Sequence, residues 1–343
     1  MTVAASQPSL PIATSLEAGN EKRLMLFGGR ANPALSAAIA DQLGVCLCPI
    51  TLTTFSNGEV YCRIQESIRG ADVFLVQPMC ANPDTGIGAN DALMELLLMV
   101  DAAVGASAHR VIAVAPWYGY SRQDKKSAPR EPISARLVAR MLEAAGVDRV
   151  LTMDLHAGQL QGFFQRPVDH MTAMMLLTQY FRDLELDGEV VVVAPDAGRV
   201  KLNKKFADRI GADLAILDKE RPRQQVAKIG HVIGDVLGKT AIIVDDMIDT
   251  AGTLRAAGEA VMEAGAARVF AAATHGVFSG AAYENLAVAP FERIVVTDTI
   301  PLRPGAPDTI TVLSCANLLS ASIRRIFTGD SVSEVFDGQN QMF

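Results

Sequence analysis

The densest chemistry in the chain lies in ten residues, Val244-Asp245-Asp246-Met247-Ile248-Asp249-Thr250-Ala251-Gly252-Thr253. Two adjacent carboxylates end an apolar run, and a small, hydroxyl-rich loop with one glycine then turns into a helix. The amides of Asp249 through Thr253, with the Thr250 and Thr253 hydroxyls, can surround a phosphate at the positive end of that helix. Asp245 and Asp246 can hold sugar hydroxyls directly or through a cation, because adjacent acids repel unless something occupies them. Other apolar runs also end in polar residues: Asp196 follows Val190–Ala194, Asp154-Leu155-His156 follows Val150–Met153, and Trp117-Tyr118 follows Val111–Ala115. The stretch DKERPRQQVAK, from Asp218 to Lys228, reads as a mobile loop carrying Lys219 and Arg221. Phosphate chemistry needs such cations to close over charge as it develops.

Two look-alikes fail on spacing. Gly238-Lys239-Thr240 ends like a nucleotide P-loop, but Gly234 is one residue too close and the triplet leads into a strand instead of a helix. Gly86-Ile87-Gly88 has Asp91 where a dinucleotide fingerprint requires its third glycine.

The elements that must position these residues alternate. Asn32-Pro33 supplies a helix cap and first turn, and Gly44 a stop. Helices are expected over Asp91–Val104, from Glu131-Pro132 to Gly146, through Lys204–Ile210 and from Leu254 to Gly265. In the second of these, Ile133, Leu137, Val138, Met141 and Leu142 are spaced to share one face. Between the helices stand short β-branched runs, the pattern of an α/β protein with largely parallel sheets. Two such series predict an N-terminal α/β domain over 21–171 and a C-terminal one over 172–314. Residues 315–343 are expected to pack back on the first domain. Open parallel sheets bind ligands beyond the carboxyl ends of their strands, where the acids and His156 fall.

Composition excludes several functions. Thirty-one Lys and Arg against 38 Asp and Glu give a net charge of −7 over 343 residues, which argues against a general nucleic-acid binder. Half the residues are hydrophobic and a fifth charged, the balance of a packed soluble chain. The longest apolar stretches, such as Leu93–Val100, are too short to cross a bilayer. Residues 1–20 lack the basic start and apolar core of a signal peptide and read as a disordered tail. The five cysteines (Cys46, Cys48, Cys62, Cys80 and Cys315) include no C-x-x-C pair and are expected to be reduced thiols in a cytoplasmic protein.

The 245–253 segment resembles the ribose-phosphate loop of phosphoribosyltransferases and of ribose-phosphate diphosphokinases. From Leu24 to the C-terminus the chain resembles the class I ribose-phosphate diphosphokinase family. The likeness rests on Phe55-Ser56-Asn57-Gly58-Glu59, Ser121-Arg122-Gln123-Asp124, Arg130-Glu131-Pro132-Ile133-Ser134, Asp154-Leu155-His156 and Gln161-Gly162-Phe163-Phe164. It continues through Pro195-Asp196-Ala197-Gly198, Lys219-Glu220-Arg221 and Ser331-Val332-Ser333. The resemblance implies two phosphoribosyltransferase-like domains. It also implies transfer of the β,γ-diphosphoryl group of ATP to O1 of ribose 5-phosphate, with Mg²⁺.

By the same resemblance, Lys219 and Arg221 are the catalytic pair on a flexible loop spanning 219–230. Phe55, Asn57, Glu59, Arg122, Gln123 and His156 would meet ATP, with the Phe55 patch serving a neighbouring subunit. His156 and Asp196 would hold the metal. Asp245, Asp246, Asp249, Thr250, Ala251, Gly252 and Thr253 would hold ribose 5-phosphate, and a second ion is expected where the acids meet Asp196. Ser67, Arg69, Ser331 and Ser333 match a regulatory site for an activating inorganic phosphate and an inhibiting ADP, in a hexamer built from dimers. One departure stands out: the family usually has a glycine where Arg199 stands. Either a close backbone approach is altered there, or Arg199 itself touches a phosphate. A phosphoribosyltransferase using the same loop and a non-catalytic regulatory homologue are the alternatives. Release of AMP from ATP and ribose 5-phosphate separates them.

Overall fold

The computed structural model describes residues 22–223 and 226–336, with the side chains of 219–230 and 336 outside the description. The tail expected over residues 1–20 lies outside it. In the first half the order is β1 (Leu24–Gly28), α1 (Pro33–Leu43), β2 (Ile50–Thr54), β3 (Val60–Ile64), β4 (Asp72–Val76) and α2 (Ala89–Gly105). It continues with β5 (Arg110–Val114), α3 (Ser134–Ala145), β6 (Arg149–Met153) and β7 (Val168–Met171). Five of these strands form a parallel sheet in the order β1-β4-β5-β6-β7, while β2 and β3 pair only with each other as an antiparallel hairpin.

After α4 (Met174–Asp183) come β8 (Val190–Ala194), α5 (Val200–Ile210), β9 (Asp213–Arg223), β10 (Val226–Ile233), β11 (Thr240–Ile248) and α6 (Gly252–Glu263). The chain then runs through β12 (Arg268–Gly276), α7 (Ala282–Ala287), β13 (Arg293–Thr297), β14 (Ile310–Leu313) and α8 (Ala316–Thr328). The second sheet has the order β10-β9-β8-β11-β12-β13-β14, parallel except for the β9–β10 hairpin.

Local signals explain the helices. The Asn32 side chain accepts the Leu35 N–H at 3.1 Å to start α1, and Gly44 ends it at φ 72°. Asp91 accepts the Gly88 N–H at 3.0 Å at the start of α2. One expectation about α3 fails. Its buried stripe is Ala135, Val138, Ala139 and Leu142, and Leu137 is 56% exposed. Two neighbouring positions of a helix differ by about 100°, so Val138 inside leaves Leu137 outside.

The loop expected over 219–230 also differs. Residues 219–223 belong to β9 and 226–230 to β10, paired antiparallel with Ile229 opposite Lys219.

Three of the apolar clusters among the described residues lie against the faces of the sheets. One face of the first sheet packs on α2 and α3 through Phe27, Val73, Leu96, Val138 and their neighbours. The outer face of the second packs on α6 and α7 through Ile243, Val261, Ala271 and Leu286. The remaining faces share one cluster, in which Leu26, Phe74 and Leu151 are joined to Val192, Ile242 and Phe270 by residues of α1, α4, α5 and α8. Helix α8 returns to the first half and lies against α1, and the Arg324 guanidinium donates to the Leu43 carbonyl at 3.2 Å.

Candidate active site

In the second sheet the strand order reverses between β8 and β11, because the chain leaves β8 for β9 on one side and later returns on the other. Such a reversal opens a crevice beyond the strand ends. Register deepens it. Strand β11 pairs with β8 only as far as Ile243, yet with β12 as far as Ile248. Residues 244–248 therefore overhang the end of β8, with one edge free of strand pairing. Asn203 of α5, fully buried, takes up part of that edge by donating to the Val244 carbonyl at 3.1 Å.

Beside the overhang lies a cavity of about 240 Å³ whose walls include Arg122, His156, Asp196, Arg199, Asp245 and Asp246. Asp249, Thr250, Ala251 and Thr253 also line it. Residues far apart in sequence thus meet around one space, with Arg122 and His156 coming from the first half of the fold.

The acids are held by two side chains of the chain itself, Arg199 and His156. Arg199 Nε stands 3.3 Å from Asp245 Oδ1, and its Nη2 donates to Asp246 Oδ1 at 2.7 Å. His156 Nδ1 lies 2.7 Å from Asp246 Oδ2. The same Nδ1 is 3.1 Å from Arg199 Nη2, but it cannot donate to the carboxylate and accept from the guanidinium at once. The shorter contact places a proton on Nδ1, toward Asp246, and in the neutral ring Nε2 then carries the lone pair. Burial alone would raise the Asp246 carboxyl, yet the His156 hydrogen bond and the Arg199 charge outweigh it and bring it down to about 2. For Asp245, desolvation in the cleft and the adjacent Asp246 charge push the carboxyl well above its usual range, with Arg199 opposing.

The 249–253 loop begins α6. Ala251 occupies the left-handed region at φ 60°, ψ 0°, a conformation that favours glycine and costs on the order of 1 kcal/mol for alanine. Asn285 donates to the Thr250 carbonyl at 2.9 Å and supports the loop from α7. Asp249 accepts from both Arg122 and Ser279, so Arg122 bridges the two halves of the molecule over the cavity rim.

A buried polar layer lies behind this rim, and sequence reasoning gave it no part. Asp154 Oδ2 accepts the Ala173 N–H at 2.8 Å and the Thr274 hydroxyl, while Oδ1 has no hydrogen-bond partner among the described residues. Burial pushes its carboxyl up to about 6. Its backbone, at φ 34°, makes the turn that carries the chain from β6 to His156. His275 stacks edge-on to Trp117 with centroids 4.8 Å apart, and its ring nitrogens lie 2.9 Å from the Thr299 hydroxyl and 3.1 Å from the Met153 carbonyl. Burial brings both His275 and His170 down to about 4, so both are neutral. His170 Nε2 accepts the Leu155 N–H at 2.9 Å. Only Asp154 itself carried a sequence signal, as an acid at a strand end.

The other expected residues are dispersed. Phe55, Asn57 and Glu59 form the tip of the β2–β3 hairpin, where Phe55 is 53% exposed and meets Tyr61 edge-on at 5.7 Å. They do not line the cavity. Gln123 bonds to Ser134 and also lies off it. Ser67 and Arg69 are exposed near β4, and the Ser331 and Ser333 hydroxyls lie 2.7 Å apart after α8. The side chains of Lys219 and Arg221 fall outside the described residues. Arg199, read as altering a close backbone approach or touching a phosphate, lies on the two carboxylates.

For a metal ion, the Nε2 lone pair of His156 and the Asp196 carboxylate are donors on the wall of the same cavity. Among the described residues no three His, Cys, Asp or Glu side chains form a metal-holding group. Two protein donors suit an ion that keeps waters and phosphate oxygens as its remaining ligands.

Comparison with known proteins converges on one family. The N-terminal domain of ribose phosphate pyrophosphokinase matches residues 24–146, and the phosphoribosyl synthetase-associated domain matches residues 227–337. A ribose-phosphate pyrophosphokinase of Caldanaerobacter subterraneus is 50% identical over 314 residues, covering 91% of this chain and 98% of that protein. One from Chlorobaculum tepidum is 45% identical over 320 residues, with coverages of 93% and 97%. The crystal structure of phosphoribosylpyrophosphate synthetase from Mycobacterium smegmatis aligns with a TM-score of 0.84 at 46% identity, over 90% of this chain and all of that one.

Proposed function

The chain belongs to the ribose-phosphate pyrophosphokinase family, and from that premise we infer how its own residues divide the work. It is an enzyme that transfers the β,γ-diphosphoryl group of ATP to ribose 5-phosphate, giving 5-phosphoribosyl 1-diphosphate and AMP. The O1 hydroxyl attacks the β-phosphorus and loses its proton, while the bond from that phosphorus to the α-phosphate oxygen breaks and AMP leaves. One observation carries the division of roles: a single crevice joins an acid pair to a phosphate-sized loop at the start of α6.

The amides of 249–253 and the Thr250 and Thr253 hydroxyls take the 5-phosphate. Asp245 and Asp246 take the 2- and 3-hydroxyls, which turns O1 toward the other end of the cavity. Arg122 and Gln123 serve the nucleotide, with Arg122 releasing Asp249 to do so. His156 and Asp196 would hold the Mg²⁺ that comes with ATP, which when bound would supply positive charge to the phosphates. Lys219 and Arg221, on the outer half of the β9–β10 hairpin, close over the transferring phosphoryl groups. No strong general base is needed when orientation and charge neutralisation carry the rate.

The adenine is met by Phe55, Asn57 and Glu59 of a second copy, which makes an oligomer, a hexamer built from dimers, part of the active site. Ser67, Arg69, Ser331 and Ser333 form the phosphate and ADP regulatory site between copies, and the enzyme works in the cytoplasm.

A discontinuous assay for AMP, run beside one for diphosphoryl transfer to ribose 5-phosphate, tests the reading. Equal amounts of AMP and 5-phosphoribosyl 1-diphosphate are expected. AMP without that product, or loss of phosphoribosyl groups to a free base, would contradict it.

A further inference from the structure

The acid pair already has a positively charged side chain of the protein across it, and that bears on which ligands need a metal. Arg199 is held rigidly rather than lying loose on the surface. Its side chain is 14% exposed. Its N–H donates to the Asp196 carbonyl at 3.1 Å, and its own carbonyl accepts the Asn203 amide at 3.0 Å. That same Asn203 amide holds Val244, next to the acids, at 3.1 Å. One buried side chain therefore fixes the backbone of the arginine relative to the strand that carries both aspartates. From there the guanidinium presents Nε to Asp245 and Nη2 to Asp246, the forked geometry that pairs well with carboxylates. Its Nη1 makes no hydrogen bond among the described residues, and the residue lines the cavity.

We propose that Arg199 is the resident cation of the Asp245–Asp246 pair, so that the ribose hydroxyls bind there without a divalent ion of their own. The inference rests on the reading of these acids as the ribose-hydroxyl site. A divalent cation shared by the two carboxylates would stand a few ångströms from a fixed positive charge, in a cleft where water screens poorly. The guanidinium removes the need for it by offsetting the mutual repulsion of the acids. Nη1, without a hydrogen bond among the described residues, is left to donate to a ligand in the cavity that Arg199 lines. The ion held by His156 and Asp196 is a separate matter, since it arrives with the nucleotide. The second ion expected near the ribose is thus replaced by a side chain.

The test is calorimetric binding of ribose 5-phosphate to the full chain, alone and with exchange-inert chromium(III)–ATP. Each titration is run in EDTA and again in free Mg²⁺. In wild type the affinity in EDTA should lie within about threefold of that in Mg²⁺, less than the cost of losing one charged hydrogen bond. In Arg199→Ala, removing EDTA and adding Mg²⁺ should strengthen binding about tenfold or more. Spectroscopic Mn²⁺ titration without nucleotide should show a site in Arg199→Ala that is absent from wild type and lost again in Arg199→Ala/Asp246→Asn. Arg199→Lys, which keeps the charge, should still bind in EDTA, and it serves if the alanine variant fails to fold. Wild-type binding that requires free Mg²⁺ would overturn the proposal while leaving the ribose site intact. So would a wild-type Mn²⁺ site that Asp246→Asn removes. No binding of ribose 5-phosphate under any condition would overturn the ribose reading as well.

Discussion

The two sheets are built from the same parts and differ in one topological detail. In the first, the parallel strands stand in the order they occur, β1-β4-β5-β6-β7, and no crevice opens between diverging connections. In the second, β9 lies on one side of β8 and β11 on the other, and the cavity lies beyond that divide. Acids and the phosphate-sized loop sit on the sheet with the reversal. The other sheet supplies Arg122 and His156, single side chains reaching to the rim. A strand order, more than any residue, decides which half carries the acid pair and the loop and which half reaches across.

The largest effects should come from the β9–β10 hairpin, an extension of the second sheet. Lys219→Ala or Arg221→Ala should lower turnover on the order of 10²-fold or more with little change in melting temperature, because cations used in the transition state weigh on rate. Near-normal kcat in both variants would break the assignment of chemistry to that sheet.

The junction between the sheets can be probed by pH. His170 and His275, brought down to about 4 by burial, take up protons in the unfolded chain first. Their stabilisation is present above pH 6.5 and is lost as pH falls toward 4, on the order of 3 kcal/mol for each. Asp154, raised to about 6, works the other way and gains stability as pH falls from 6 toward 4. Two histidines outweigh one acid, so urea unfolding should report lower stability at pH 5 than at pH 7. The His275→Gln variant should show a flatter pH profile. An unchanged slope would remove His275 from the buried layer's titration.

A smaller contrast sharpens the division of labour. Asp246→Asn should raise the KM for ribose 5-phosphate about tenfold and leave that for ATP nearly unchanged, the loss expected of one charged hydrogen bond. Phe55→Ala should do the reverse by several-fold, the scale of one lost aromatic contact. If Asp246→Asn mainly weakened ATP, the sheets would have been assigned the wrong way round.

Much of this was legible where the signal is local. The run from Asp245 to Thr253 shows its acids, its loop and its helix start within ten residues, and the caps at Asn32 and Gly44 announce α1. What stayed hidden was contact between distant residues: Arg199 with Asp245 and Asp246, His156 with Asp246, and Asp154 with Thr274. Strand β9 illustrates another limit. It pairs with β8 only up to Ile216 and beyond that with β10 alone. Its second half, DKERPR, is polar and has no alternating apolar pattern, so it reads as a loop. Arg199 could be seen as a departure, but only the packing of α5 against β11 shows where its charge goes.

The apolar cluster running from Leu26 through α4 and α8 to Phe270 has a consequence for how the chain can be handled. Neither half owns a complete interior. Cutting the gene between them would leave each fragment with one face of its sheet bare, and α8 severed from the α1 surface it covers. Calorimetry of the intact chain should therefore give a single transition. The two fragments, insoluble apart, should recover solubility only when expressed together.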